Sequence, residues 1–338
     1  MSRMKAIVFR HNLPIEDDNS LIDVELPVPD ATGRDLLVRV EAVAVNPVDT
    51  KVRRFHAPPA DGSGRVLGWD AAGVVEAVGA QVTRFRPGDR VWYAGDLTRQ
   101  GSNAEYQPVD ERVVGRMPAT LDFAQAAALP LTAITAWELL FDRLQLRDAE
   151  GRLLVVGAAG GVGSIMIQLA RALTRTTVIA TASRPETRAW VEQLGAHTVI
   201  DHSQPLAQAL REAGFESVTH AASLTQTDHH YAQLVEALAP QGKLGLIDDP
   251  AQPLDLLALK RKSLSLHWEL MFTRSLYQTS DMAEQGRLLD QVADMVDAGL
   301  LRSTLGEHFG VITAANLRRA HALLESGRAR GKIVLQGF

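Results

Sequence analysis

The sequence predicts an α/β protein in which a doubly wound parallel sheet is joined to a second, β-rich domain. Three observations carry this. An apolar run, a glycine-rich turn and an apolar helix succeed one another over residues 151–173. From there to about residue 270, strand-like and helix-like segments alternate, the pattern of β-α units with a parallel sheet. Before residue 120, short strands separated by turn residues dominate instead.

The organising stretch is Gly151 to Ser164, G-R-L-L-V-V-G-A-A-G-G-V-G-S. Leu153 to Val156 is wholly apolar and reads as a strand buried on both faces. Gly157, Gly160, Gly161 and Gly163 form the turn. Ile165, Ile167, Leu169, Ala170 and Leu173 give the next segment the spacing of a buried helix. Strand, tight turn and helix in this order make a dinucleotide-binding Rossmann unit. Glycine lets backbone approach a pyrophosphate, and the helix start offers free N–H groups and a favourable dipole. The contacts expected here are Ala159, Gly160, Gly161, Val162 and Gly163. The strict G-x-G-x-x-G is broken at its first glycine position, held by Ala158.

A chain of 338 residues exceeds one comfortable core, so two domains are expected. Net charge is −5 with both signs mixed throughout, which argues against a nucleic-acid face or a polybasic membrane patch. No apolar run reads as reaching the ~18 residues of a membrane span. The first residues enter a strand at once, which does not suit a signal peptide. With no cysteine, disulfides, thiolate–metal sites and cysteine nucleophiles are excluded. A cytoplasmic protein is expected. The 10 histidines show no ligand spacing, and adjacent His229 and His230 on a helix are expected to point apart.

Residues 4–9 and 36–45 read as strands, the second from its period-2 alternation. Pro14, Pro27 and Pro29 punctuate the loop between them. Asn46 is held extended by Pro47, and a helical turn begins there. The polar cluster Asn46 to Arg53 is either a substrate or cofactor contact or a self-capped loop. Residues 66–79 carry Gly68, Gly73 and Gly79 as bends within strands, and Gly88-Asp89 is a tight turn. Ala124 to Leu140 reads as two helices split at Pro130, with Thr132 placed to cap or to touch a ligand. Strands then fall at 152–156, 177–182, 197–200, 217–222, 243–247 and 264–270. Helices fall between them at 162–173, 186–194, 204–213, 229–238 and 255–260. Two tail helices follow, Met282 to Ala298 stopped by Gly299 and Ala314 to Ser326 stopped by Gly327, before a last strand Ile333 to Leu335.

N-P-V-D-T-K-V-R at 46–53, V-L-G-W-D-A-A-G-V-V at 66–75, S-N-A-E-Y at 102–106, A-A-L-P-L-T-A-I-T-A-W at 127–137, G-A-A-G-G-V-G-S, the turn near Ser183 and G-K-I-V-L at 331–335 together resemble the medium-chain dehydrogenase/reductase superfamily. The likeness is closest to its zinc-free quinone oxidoreductase and enoyl-reductase-like branch, many of whose members are named zinc-type alcohol dehydrogenase-like. It implies a GroES-like catalytic domain of residues 1–125 and 273–338 around a Rossmann NADPH-binding domain of 126–272, with the active site in the cleft between them. It also implies a homodimer, formed edge to edge through Leu264 to Phe272.

The same resemblance supplies roles. Asn46 and Leu131 fall at the positions of two zinc-ligating cysteines, and Trp69 at that of a histidine, so no zinc is expected. Asp70, the neighbouring acid, is retained. Ala182 replaces the acid that holds a ribose 2′-OH, and Ser183 with Arg184 would hold a 2′-phosphate, so NADPH is the expected cofactor. The local alternative is a Ser183 helix cap with a solvated arginine. His202 lies where relatives often place a tyrosine near this phosphate. Thr132, Leu224 and Ile247 would meet the nicotinamide. Lys332 would meet the pyrophosphate, or is a solvated turn lysine.

Without a Lewis acid, activated acceptors are favoured: quinones or α,β-unsaturated carbonyls. Asn46 would donate to the developing oxyanion. Asp49 would orient Asn46 or a nearby water. Tyr93 is a proton source or simply a strand tyrosine. Trp69 would wall the pocket, and Trp268 would do so or pack a dimer interface. The rival readings are a non-catalytic NADPH-binding protein and a zinc-dependent alcohol dehydrogenase.

Overall fold

The computed structural model describes residues 2–147 and 150–338. The chain opens with β1 (Arg3–Phe9), β2 (Ile22–Pro27), β3 (Asp35–Val45), α1 (Pro47–Phe55), β4 (Arg65–Val66), β5 (Ala71–Val78), β6 (Arg90–Tyr93), β7 (Tyr106–Asp110) and β8 (Val114–Arg116). Helices α2 (Phe123–Ala127) and α3 (Pro130–Trp137) follow, continued by a π-helical turn, Glu138–Arg143. Then come β9 (Glu150–Val156), α4 (Gly161–Leu173), β10 (Arg175–Thr181), α5 (Pro185–Gln193), β11 (Thr198–Ile200) and α6 (Leu206–Glu212). The alternation continues with β12 (Val218–Ser223), α7 (Thr227–Ala237), β13 (Leu238–Leu246), α8 (Leu257–Lys260) and β14 (Ser265–Trp268). The tail holds α9 (Thr273–Leu276), α10 (Glu284–Asp297), β15 (Leu305–His308), α11 (Ala314–Glu325) and β16 (Lys332–Gln336). The protein is a mixed α/β fold with a parallel Rossmann-like sheet and a separate β-rich part.

The chain forms two compact units, Met1–Ile134 with Phe272–Phe338, and Thr135–Met271. The division falls inside α3 rather than at residue 125. In the first unit the larger sheet runs β15-β16-β3-β5-β6-β8, with β7 also on β3. All its pairings are antiparallel except β15 with β16. Strand β3 is the spine. Its register with β16, Ile333 opposite Val45, brings the start of the last strand against the end of β3. That pairing positions the buried site described below.

A smaller sheet, β2-β1-β4, completes the first unit. Strand β2 lies in the stretch read from its prolines as loop. It is an edge strand whose exposure alternates residue by residue, and an edge tolerates Pro27 at its end.

The second unit is a six-stranded, wholly parallel sheet in the order β11-β10-β9-β12-β13-β14. Leu153 in β9 sits opposite both Val178 in β10 and His220 in β12, and Leu153 to Val156 are buried, as an all-apolar central strand requires. The chain builds outward from β9 to β11, then returns to add β12 on the other side. Ligands bind such sheets where the strand order reverses, beyond the carboxyl ends of the strands.

One stretch departs from the sequence reading of apolar runs. Phe123–Arg143, which holds α2, α3 and the π-helical turn with a short break at Ala128 and Leu129, is long and apolar enough to span a membrane by length and composition. These helices belong to the core here, with 89% of the most apolar window buried in the protein.

Candidate active site

In the first unit the site starts where β3 hands over to α1. Asn46 is extended (φ −131), as the following proline demands, and Pro47 opens the helix. The Asn46 backbone N–H donates to Asp49 Oδ2 at 2.7 Å, and the Asp49 N–H donates back to the Asn46 carbonyl at 3.0 Å. This closes the first turn. The Asn46 side chain faces inward. Its Nδ2 donates to Asp70 Oδ2 at 2.9 Å and to the Trp69 carbonyl at 3.2 Å.

Lys332 comes in from β16. Its Nζ donates to Asp70 Oδ2 at 2.8 Å, to the Val45 carbonyl at 3.0 Å and to Asn46 Oδ1. Asp70 Oδ1 accepts the Leu131 N–H at 2.7 Å, from the first turn of α3. Asn46, Asp49, Asp70 and Lys332 are all buried.

This geometry corrects two sequence expectations. An ammonium has three hydrogens and an amide NH2 has two. All five are taken up by protein oxygens. Asn46 therefore has no amide hydrogen left free for a substrate oxyanion. Lys332 is 4% exposed and sits in the core of the first unit, so it is neither a solvated turn lysine nor a pyrophosphate contact. Burial raises the Asp70 carboxyl above its usual range, with the Lys332 charge and the Leu131 N–H pulling it back. Asp49 is pushed up to about 7, first by burial and further by the Asp70 charge, against the Asn46 N–H and Lys332.

Three more readings change. Tyr93 is fully buried in β6, and its hydroxyl has no hydrogen-bond partner. Burial pushes its phenol upward, so it stays neutral, and its place in the core of the first unit fits the strand-tyrosine reading. Trp69 is wholly buried, not an open wall. Its Nε1 donates to the Asp96 carbonyl at 3.2 Å, and its ring meets Phe272 edge-on at 6.5 Å. The Thr132 hydroxyl is buried and donates to the Leu129 carbonyl at 3.0 Å, within its own helix start.

In the second unit the glycine turn follows β9. Gly157 has φ +81, which favours glycine. A side chain on Gly163 would lie 2.4 Å from the Ala158 carbonyl oxygen, so only glycine lets α4 pack this closely on the turn. Gly160 caps α4 without a side-chain bond. The first-turn N–H groups of Gly161, Val162 and Gly163 therefore have no intrahelical acceptor, and a pyrophosphate fits there beside Ala159. Beyond β10, Ala182 is buried and Ser183 is exposed. Arg184 rather than Ser183 is the N-cap of α5, with Pro185 in its first turn, because the chain stays extended one residue longer. The Arg184 Nε pairs with Glu186 at 3.1 Å.

His202 follows β11, with its ring centroid 6.1 Å from that of His230. His229 and His230, expected to point apart, lie edge to face with centroids 4.7 Å apart. Leu224 and Ile247 each lie one residue beyond Ser223 and Leu246, which pair across β12 and β13. They are thus neighbours at the carboxyl end of the sheet. Trp268 ends the edge strand β14 and is half-exposed.

Residues 32–119 match the alcohol dehydrogenase GroES-like domain, and residues 194–335 match the zinc-binding dehydrogenase family. A zinc-type alcohol dehydrogenase-like protein of Staphylococcus aureus is 39% identical over 98% of this chain and 99% of its own. The chain is a medium-chain dehydrogenase/reductase. The human mitochondrial NAD(P)H oxidoreductase RTN4IP1 is 29% identical over 89% of this chain and 81% of its own. A Rhizobium etli structure named as a candidate zinc-dependent alcohol dehydrogenase superposes with TM-score 0.96 at 56% identity, covering 100% of this chain and 99% of that one. A Pseudomonas syringae quinone oxidoreductase superposes with TM-score 0.82 at 28% identity, covering 98% and 99%.

The zinc in the family's name does not suit the residues of this dehydrogenase/reductase. The Leu131 side chain is hydrocarbon. The indole of Trp69 is a donor only, and it faces a carbonyl. Asn46 and Asp70 already hold an ammonium. Among the described residues no group of three or more His, Asp or Glu is arranged to hold a metal ion. The Lys332–Asp70 pairing was missed at the sequence level. The signal available was a lone acid, retained beside lost ligands, in a chain whose last strand carries one lysine.

Proposed function

We propose that this oxidoreductase is an NADPH-dependent, zinc-independent reductase of activated acceptors, quinones or α,β-unsaturated carbonyls. The observation that carries the reading is the buried Lys332 ammonium, which holds the Asn46 and Asp70 side chains beside Trp69. A fixed organic cation there takes up the oxygens a Lewis-acidic ion would need. Simple alcohols and ketones then lose their activating group, and acceptors that are already electron-poor remain.

Preference for NADPH is supported by Ala182 at the position of the usual acid and by the partly exposed Arg184. When bound, the cofactor would supply the hydride. The chain's part is to hold it: Gly161, Val162 and Gly163 at the pyrophosphate, Arg184 at the 2′-phosphate, Leu224 and Ile247 at the nicotinamide. Asn46, Asp49 and Lys332 act behind the pocket, fixing the chain on either side of Trp69. The half-exposed Trp268 on the sheet's edge strand supports a homodimer paired through β14. A cytoplasmic location belongs to the same reading.

The test is NADPH oxidation by purified protein, with chelator present, against enones, quinones and simple aldehydes, with NADH in parallel. Turnover of enones or quinones that survives chelation is expected. Turnover lost on chelation and restored by zinc would overturn the reading. Tight NADPH binding without turnover of any acceptor would favour a non-catalytic cofactor-binding role.

A further inference from the structure

We propose that His202, His229 and His230 form, with Arg184, a proton-coupled anion site for the adenosine 2′-phosphate, so that NADPH binding takes up a proton that NADH binding does not. The proposal rests on the NADPH reading above and adds residues and a regulation to it.

The four residues come from separate parts of the sequence but one end of the sheet. Arg184 follows β10, His202 follows β11, and His229 and His230 follow β12. All lie beyond the carboxyl ends of parallel strands, where such sheets take ligands. The rings are close and nearly perpendicular, at 88° for His202 with His230 and 77° for His229 with His230. His230 is 2% exposed, and its Nδ1 has no hydrogen-bond partner. The buried Nδ1 of His202 has none either. Unmatched buried polar groups call for a ligand or a water, and here the two lie together, on rings whose centroids are 6.1 Å apart.

Burial first, and then the charges facing them, disfavour a proton on His202 and His230. Arg184 and His229 repel a proton on His202, and His229 and His202 repel one on His230. Two carboxylates oppose this, Asp201 beside His202 and Asp248 beside His230. Both are engaged locally: Asp201 accepts the Ser203 N–H at 2.8 Å, and Asp248 accepts the Thr227 N–H at 3.0 Å and its hydroxyl. Burial is the larger cause and repulsion adds to it, taking His230 down to about 4 and His202 below its usual value. A phosphate monoester brings a charge of about −1.5 to −2 and three acceptor oxygens. Placed against these rings, it reverses the sign of the local field and gives a protonated Nδ1 an acceptor.

The experiment is calorimetric titration with NADPH, NADH and 2′,5′-ADP between pH 6.5 and 8.5, in two buffers of different ionisation enthalpy. This window lies above the phosphate's own titration near 6. For NADPH and 2′,5′-ADP, uptake of about one proton is expected, with Kd weakening up to tenfold per pH unit as proton linkage requires. NADH should show neither. His202→Gln should flatten the NADPH slope, and so should His229→Gln, an exposed position that keeps the fold. If NADPH binds far tighter than NADH with a flat pH profile and equal heats in both buffers, the proton-coupled site is overturned and the NADPH reading stands. If NADPH and NADH bind alike at every pH, both fall together.

Discussion

Replacing Lys332 with methionine separates the buried cation seen here from the cofactor contact that the sequence suggested. Methionine is one atom shorter, keeps an unbranched apolar stem, and removes the charge together with its three hydrogen bonds. Asp70 Oδ2 then keeps the Asn46 amide and Oδ1 keeps the Leu131 N–H, but its counter-charge is gone in a fully buried setting. Removing one partner of a buried pair costs about 3–5 kcal/mol, because the other charge is left uncompensated. Domain stabilities are only about 5–15 kcal/mol, so the loss is a large share. Urea unfolding at pH 7, followed by fluorescence of the buried Trp69 and Trp92, reads it. Adding Asp70→Asn to the variant should restore part of the loss, since the orphaned charge goes with it. A Lys332→Met protein within about 1 kcal/mol of wild type, with NADPH Kd raised tenfold or more, would refute the buried-cation reasoning.

Asp49 makes a second prediction, in pH. Its carboxyl titrates near 3.8 when unfolded and at about 7 when folded. A raised folded value means its contribution is fully present below pH 4 and is lost as pH rises through 7. At most about 4 kcal/mol of stability goes with it. Asp49→Asn should therefore narrow the fall in unfolding free energy between pH 5 and 8, and identical slopes in variant and wild type would rule the assignment out. A third concerns selectivity. Arg184→Glu should weaken NADPH about 10- to 100-fold more than NADH in fluorescence titrations, since a charge-assisted phosphate contact is replaced by repulsion; equal weakening counts against Arg184 at the phosphate.

The Rossmann-like unit was legible because its signals are local. A strand such as Leu153 to Val156 and the alternation after it are set within a few residues, and each predicted strand from 152–156 to 264–270 has its counterpart among β9 to β14. Strand β2 was hidden because flanking prolines read as loop, and β15 because its four residues owe their pairing to β16, far along the chain. The site in the first unit was legible as a set of positions, but not as chemistry. Asn46, Asp49, Trp69 and Asp70 were all singled out. What could not be read was that Lys332, 286 residues from Asn46, fills their centre. The polar atoms of Asn46 point wherever that partner stands, and spacing along the chain does not reveal it. The histidine pair failed for a related reason: helical spacing sets adjacent positions about 100° apart, but the rotamers that bring the His229 and His230 rings within 4.7 Å are not written in that spacing.

The register of β16 against β3 has a consequence for the order of assembly. The lysine that balances Asp70 is joined to the chain only after the whole segment from Thr135 to Met271 has been made. During synthesis the parallel sheet has all its strands available, and N-terminal parts fold first as they emerge. The first unit cannot finish in that sense: its two buried acids stay without a cation, and β3 stays without one of its neighbours, until the final strand arrives. The last stage of folding is thus a long-range closure, slow by topology. A nascent or truncated chain lacking β16 would present an open edge on β3 and leave Asp70 without its cation.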